Sequence, residues 1–279
     1  MPEEPDVNIS GGPDGGGTDA AAEDPTFAPG AAETRAEAVV DELGEIYWQK
    51  AYGGQDAFEC LVRTILSQNT SDVASQPAHD SLMARYGEGG PAAAPGGDLA
   101  RALADADRDE LAETISSAGL YNQKSASIQG AAEWVLDAYG SEDAFDAFVR
   151  EEDPGEVRET LLSVDGVGPK TADCVLLFAG GRGGVFPVDT HVHRIARRMG
   201  LAPADADHEG VREAIEAAIP PEKCGFGHTV MIQFGREYCS ARKPACLDGP
   251  EACPLYDRCD RVGVDELDGE VVDPAEAAD

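Results

Sequence analysis

The chain has 279 residues, 42% of them hydrophobic and 27% charged, which suits one large globular domain or two modest ones. No apolar run approaches the roughly 18 residues of a membrane span, and the opening Met1-Pro2-Glu3-Glu4 lacks the basic-then-apolar character of a secretory signal. A membrane protein is excluded and a cytoplasmic one expected.

The 54 acidic residues outweigh 21 basic ones for a formal net charge of −33, and only five of the basic residues are lysines. Taken alone, this argues against nucleic acid, whose binding rests largely on Lys and Arg contacts to phosphate. Part of the acidity sits at the ends: residues 1–46 hold 12 acids and one Arg, and residues 260–279 hold eight acids and one Arg. Residues 47–259 still carry 34 acids against 19 bases, the surface expected of a protein working in concentrated salt.

Residues 1–30 are rich in Gly, Pro, Asp and Ala without apolar periodicity and read as a disordered acidic tail. From Ala31 to near Leu255, Ala/Leu/Glu/Arg-rich stretches alternate with Gly/Pro/Asp clusters, which predicts an all-α protein. Helices are expected over 33–49, 56–66, 72–86, 108–118, 123–139, 143–149, 155–163, 170–179, 190–199, 208–218 and 225–238. Gly87 to Gly97 reads as a loop, and residues 261–279 as an acidic C-terminal tail.

Between two of these helices lies Leu162-Ser163-Val164-Asp165-Gly166-Val167-Gly168-Pro169-Lys170-Thr171-Ala172. Gly166 and Gly168 permit a tight turn, and Pro169 suits a first helical position. The turn amides of Gly166, Val167 and Gly168, with the helix N-terminus, can then hold an anion such as a backbone phosphate. Lys170 falls in the first helical turn, where the macrodipole disfavours an ammonium; a neutral lysine is a nucleophile towards a carbonyl-like carbon. Further on, Val188-Asp189-Thr190-His191-Val192-His193-Arg194 opens another helix. Asp189 reads either as an N-cap or as a carboxylate that accepts protons opposite Lys170. That helix carries Arg194, Arg197 and Arg198 with His191 and His193, and phosphate contacts are expected there.

Cys239, Cys246, Cys253 and Cys259 fall within 21 residues, spaced C-x6-C-x6-C-x5-C. Without a secretory signal, thiolate metal ligation is favoured over disulfides. Zinc sites prefer tight C-x2-4-C knuckles, absent here, whereas single looped cysteines suit an iron–sulfur cubane. Cys60, Cys174 and Cys224 stand in apolar contexts and read as buried thiols.

The hairpin, the Val188–Arg194 segment and the four-cysteine loop occur in the order seen in endonuclease III, a helix-hairpin-helix DNA glycosylase, and residues 33–260 resemble that family. Ile65-Leu66-Ser67-Gln68-Asn69-Thr70-Ser71-Asp72 and Gly119-Leu120-Tyr121-Asn122-Gln123-Lys124 also fit. The resemblance implies a bilobal all-α fold. Residues 54–183 would form a six-helix barrel domain with the hairpin, and residues 31–53 with 184–260 an iron–sulfur domain holding a [4Fe-4S] cluster. It implies a monomer acting on damaged double-stranded DNA, with Lys170 attacking C1′ and Asp189 activating it, so that oxidised pyrimidines leave through a Schiff base and β-elimination. An enzyme acting on a base inside a duplex must extrude it and fill the gap. Gln68 or Asn69 would be that wedge, with Tyr121, Asn122 and Lys124 on the neighbouring strand and His191 and Arg194 on phosphate.

Two departures stand out. The family's second and third cysteines are usually two residues apart, here six, and Pro169 replaces a residue that is often basic or polar. The competing readings are a monofunctional mismatch or adenine glycosylase, against which Lys170 argues, and a non-catalytic iron–sulfur DNA-binding module.

Overall fold

A computed structural model describes residues 27–47, 56–70 and 72–277. Residues 1–26 of the expected N-terminal tail, and 278–279, lie outside the described residues. The helices in chain order are α1 Arg35–Tyr47, α2 Ala57–Ser67, α3 Asp72–Tyr86, α4 Leu99–Ala104, α5 Arg108–Thr114, α6 Tyr121–Tyr139, α7 Glu142–Glu151, α8 Pro154–Leu162, α9 Pro169–Phe178, α10 Thr190–Met199, α11 His208–Glu216, α12 Cys224–Glu237 and α13 Pro274–Ala277. Strands β1 Val264–Asp265 and β2 Glu270–Val271 pair antiparallel. Among the described residues no helix is long and apolar enough to cross a membrane.

Each predicted helix is present, and local chemistry sets most of their starts. Side chains of Asp107, Ser141, Asp153, Asp189 and Asp207 accept hydrogen bonds from first-turn amides, and Pro154 and Pro169 occupy first helical positions. Sequence periodicity missed α4. Its six residues are too few to show a repeat, although Asp98 caps it through the Arg101 amide and Leu99, Ala100, Ala102 and Leu103 are buried.

The described residues fall into two compact units, one within Gly53–Arg182 and one combining those of Asp19–Tyr52 and Gly183–Asp279. In the first unit, α2 and α9 form the centre. Nearly every residue of α2 is buried, as are Thr171 through Phe178 of α9, and the two helices touch where Cys60 Sγ meets the Cys174 carbonyl at 3.8 Å. α8 is held to α9 by Arg158, whose Nε donates to Asp173 Oδ1 at 2.7 Å, with the Asp173 side chain 2% exposed.

In the second unit, α1 packs on α12 around a buried ionic triad. Lys223 Nζ donates to Glu37 Oε1 at 2.8 Å and Asp41 Oδ1 at 2.6 Å. Burial opposes that charge, yet the bonds to Asp41 and Glu37 outweigh it and hold the ammonium above its ordinary pKa. The remaining carboxylate oxygens accept the Glu33 and Ala28 amides, so each of the four carboxylate oxygens has a donor.

Two expected tails need correction within the described residues. Phe27 packs against Phe226 with the rings tilted and their centroids 4.4 Å apart, and it fills the space beside Gly44, so the end of the 1–30 segment is packed. Residues 261–277 form the β1–β2 hairpin and α13 rather than a tail, anchored by the ion pair between Arg197 and Asp273. High acidity misled the reading there because the pairing partner lies 76 residues away.

Removing the buried carboxylate that ties α8 to α9 takes the Asp173 partner from a half-buried Arg158. Asp173→Ala should cost about 3 kcal/mol, read from the midpoint of guanidinium unfolding.

Candidate functional site

The turn between α8 and α9 is built on Gly166. Its φ is +82°, and a Cβ there would lie 2.9 Å from Ser127 Oγ and 3.2 Å from Ser127 Cβ, so both backbone and space demand glycine. Val167 donates its amide to the Val164 carbonyl at 3.1 Å and buries its side chain, while Asp165 and Gly166 face solvent. Gly168 precedes Pro169 as the N-cap of α9. Proline at N1 lacks an amide that would be unpaired anyway, so this departure from the family pattern removes no donor from the turn; the expected Val167 donor is instead used within the turn itself.

Lys170 follows in the first turn, half-buried above the core. Its charge is felt below. Burial pushes the Cys60 thiol up to about 12, Cys174 adds to the rise, and Lys170 pulls against it.

The two adjacent amides at the end of α2 part company. Gln68 turns inward, its Nε2 donating to the Gly166 carbonyl and to Thr171 Oγ1, both at 3.1 Å, which ties α2 to the hairpin. Asn69 is exposed with φ +52°. Only Asn69 is thus presented to a ligand. Tyr121 and Asn122 are exposed on the first turn of α6.

Lys124 does not join them. It is 4% exposed, and its Nζ donates to the Leu66 carbonyl at 2.6 Å, Thr70 Oγ1 at 2.6 Å and the Ala118 carbonyl at 3.0 Å. An ammonium has three hydrogens, so none is left for a phosphate. In its place stands Leu120, which sequence reasoning passed over: 57% exposed, with φ +47°. Apolar residues are expected inside, and only its position between Gly119 and a helix start hinted otherwise.

In the second unit, Asp189 Oδ1 accepts from the amides of His191 at 2.9 Å and Val192 at 2.8 Å, so the N-cap reading holds. Oδ2 has no hydrogen-bond partner among the described residues. The approach to Asp189 is firm: Phe186, Pro187 and Val188 are buried, and His228, 1% exposed, bonds the Pro187 carbonyl through Nδ1 at 2.8 Å. His191 is half-buried, its ring closed against Gly235, where a Cβ would meet Nδ1 at 2.6 Å.

The arginines of α10 do not form the expected phosphate surface. Arg194 donates Nε and Nη2 to the Cys239 carbonyl at 3.2 and 2.8 Å, and burial holds its pKa below the ordinary value. Arg197 bonds the Ala204 carbonyl and Asp273, and Arg198 bonds the Ser240 and Ala241 carbonyls at 2.8 and 3.1 Å. The end of α12 and the loop after it present carbonyls without helical partners, and these guanidinium groups satisfy several of them. Arg236, Arg242 and Lys243 remain exposed nearby.

Cys239, Cys246, Cys253 and Cys259 line one cavity with Met199, Phe234 and Pro244 among its walls. The longer second loop is accommodated by two turns of 3-10 helix, Ala245–Asp248 and Pro250–Ala252, hinged at Gly249 with φ +115°. Among the described residues no trio of His, Cys, Asp or Glu is drawn together around a point; the thiols ring the cavity instead. Polar hydrogens face the sulfurs: Arg198 Nη1 lies 3.5 Å from Cys239 Sγ, and the Arg261 amide 3.3 Å from Cys259 Sγ. Burial pushes Cys253 up to about 11 and Cys259 to about 12, the neighbouring thiols adding to the rise. Four thiols around one largely apolar chamber, with donors aimed at sulfur, fit a thiolate-bound cluster. Cys60, Cys174 and Cys224 are buried elsewhere, as expected.

α8 and α9, joined by a glycine hairpin with Lys170 in the first turn after it and with Asn69 and Leu120 exposed in the same unit, make a helix-hairpin-helix protein. The family pattern described as HhH-GPD superfamily base excision DNA repair protein matches residues 62–221. Endonuclease III of Thermotoga maritima is 30% identical over 205 residues, 74% of this chain and 83% of the relative. Two solved endonuclease III structures, a non-covalent complex with DNA and a trapped covalent intermediate with DNA, superpose with TM-scores of 0.64 and 0.63 at 27% identity, each covering 80% of this chain and 92% of the other. The chain belongs to the endonuclease III family, and it is a DNA glycosylase/AP lyase of base excision repair.

Gly166→Ala forces a side chain into a left-handed turn against Ser127. It should cost about 1–3 kcal/mol in urea unfolding, and fluorescence anisotropy should show weaker binding to an abasic-analogue duplex.

Proposed function

We propose that this enzyme removes oxidised pyrimidines from double-stranded DNA, as a monomer, with Lys170 as nucleophile and Asp189 as proton acceptor. The observation that carries the reading is Lys170 itself, set in the first turn of α9 directly after the Gly166–Gly168 hairpin. The field of that helix end favours the neutral amine needed for attack.

Asp189 takes a proton from the Lys170 ammonium, leaving the neutral amine, whose lone pair bonds C1′ as the bond from C1′ to the damaged base breaks. The base leaves with those electrons and takes up a proton. Opening of the sugar gives a protonated Schiff base, loss of a C2′ proton expels the 3′ phosphate oxygen, and water releases Lys170. Asn69 and Leu120 enter the duplex to hold the place of the extruded nucleotide; an apolar wedge unstacks a base step and an amide offers hydrogen bonds to the orphaned partner. Tyr121 and Asn122 lie along the neighbouring strand, with the exposed end of the hairpin on phosphate. His191 and Arg194 support the sugar side indirectly, holding α10 against the end of α12. Cys239, Cys246, Cys253 and Cys259 hold a [4Fe-4S] cluster, which when bound supplies a cross-link among four thiolates rather than chemistry at the sugar.

Borohydride trapping on a thymine-glycol duplex, at low and at molar salt, tests the nucleophile. The intact enzyme should give a covalent adduct and Lys170→Gln none; base release without an adduct would instead make the enzyme monofunctional. For the carboxylate, Asp189→Asn separates its two roles, because Asn caps a helix about as well as Asp. Stability should change by less than about 1 kcal/mol, while single-turnover base release falls about 10²–10⁴-fold.

A further inference from the structure

Lys124 is a buried ammonium with no carboxylate among its partners in the described residues. Its three acceptors come from three separate places: the Leu66 carbonyl near the end of α2, the Thr70 hydroxyl in the turn after it, and the Ala118 carbonyl in the turn before α6. The Thr70 hydroxyl itself donates to the Ala118 carbonyl at 2.5 Å, closing the ring of contacts. Burial holds the Lys124 pKa below its ordinary value, so the arrangement carries a desolvation cost that an apolar side chain would avoid. Carbonyls near helix ends lack helical partners, which gives the ammonium acceptors but does not explain why a charge is needed.

The backbone around it does. Among the described residues only Asn69, Leu120 and Arg261 are non-glycine residues with positive φ, and two of these three flank the acceptors of Lys124. Asn69 precedes Thr70, and Leu120 stands two residues after Ala118. Both side chains point to solvent. Left-handed backbone at a residue with a Cβ persists only where surrounding contacts over-determine it.

We infer that Lys124 is a positioning residue for base extrusion, locking the turns that carry Asn69 and Leu120 into one rigid piece so that both side chains enter the duplex together. This rests on the reading that those two residues are the inserting ones.

The test uses the full-length enzyme and Lys124→Met, which keeps the chain length and removes the charge. Extrusion is read by stopped-flow fluorescence of 2-aminopurine placed opposite thymine glycol. Lysine chemistry is read by borohydride trapping on a single-stranded abasic oligonucleotide, where no base has to leave a stack. The extrusion rate should fall about 10²-fold, as for a misplaced contact group, with trapping on the single strand changed by no more than about twofold. The combined Asn69→Ala, Leu120→Ala variant should show a similar loss, and adding Lys124→Met to it should cost no more than about twofold further. Equal loss on both substrates, full extrusion in Lys124→Met, or an additive effect in the triple variant overturns the positioning role. Full extrusion by the Asn69→Ala, Leu120→Ala variant overturns the insertion reading itself. Should Lys124→Met fail to fold, Thr70→Val removes one acceptor, and the same selective loss, smaller in size, is expected; its absence counts against the role.

Discussion

The bond from Gln68 to the Gly166 carbonyl and Thr171 Oγ1 is where the first unit comes together. It joins the end of α2 to the hairpin and to the first turn of α9, so that Asn69 and Lys170 are fixed to the same framework. Everything around it serves that junction. Gly166 lets the hairpin approach α6 closely enough to touch Ser127, Arg158 and Asp173 hold α8 on α9, and Lys124 closes the turns on the other side. A loop presented this way is rigid through hydrogen bonds to helices, and a site that must meet a sugar carbon needs that rigidity.

A chain with net charge −33 that acts on DNA has to bind a polyanion with little help from long-range attraction. The structure makes the difficulty sharper, because much of its positive charge is turned inward. Lys124, Arg194, Arg197, Arg198 and Lys223 satisfy carbonyls and carboxylates within their own units. Arg236, Arg242 and Lys243 stay exposed in the second unit, and the first unit offers short-range chemistry: the exposed end of the hairpin, a helix end, and the Asn69, Leu120, Tyr121 and Asn122 side chains. Such contacts depend on fit rather than on counterion release, and fit survives salt that screens charge over a few ångströms.

The second unit uses the same economy for a different end. Its first helix is contributed from near the beginning of the chain and is locked to α12 by the Lys223 triad, while the last strands and α13 return to Arg197 of α10. The cysteine loop is therefore held at both edges, and Arg198 reaches from α10 into the cavity to meet Cys239. Asp189 opens the helix on which those arginines lie. Its carboxylate is oriented by two amides of the same helix, which fixes one oxygen and leaves the other available.

The sequence by itself determined the helices with long periodic faces, the hairpin, the capping role of Asp189 and the clustering of the thiols, because each is written in neighbouring positions: a glycine pair before Pro-Lys, an aspartate before a helix, cysteines at short intervals. Whether a charged or apolar side chain points in or out was decided elsewhere. Lys124 and the arginines of α10 read as DNA contacts because basic residues usually face solvent, and Leu120 went unnoticed because leucines usually do not. Gln68 and Asn69 were equivalent until Gly166 and Thr171, about a hundred residues away, claimed one of them. α4 was too short to leave a period, and β1, β2 and α13 were hidden in acidity whose partner is Arg197. Local pattern sets backbone conformation, since that depends on near neighbours. The direction of a polar side chain depends on which unpaired carbonyl, carboxylate or amide the fold brings beside it, and only the tertiary structure supplies those.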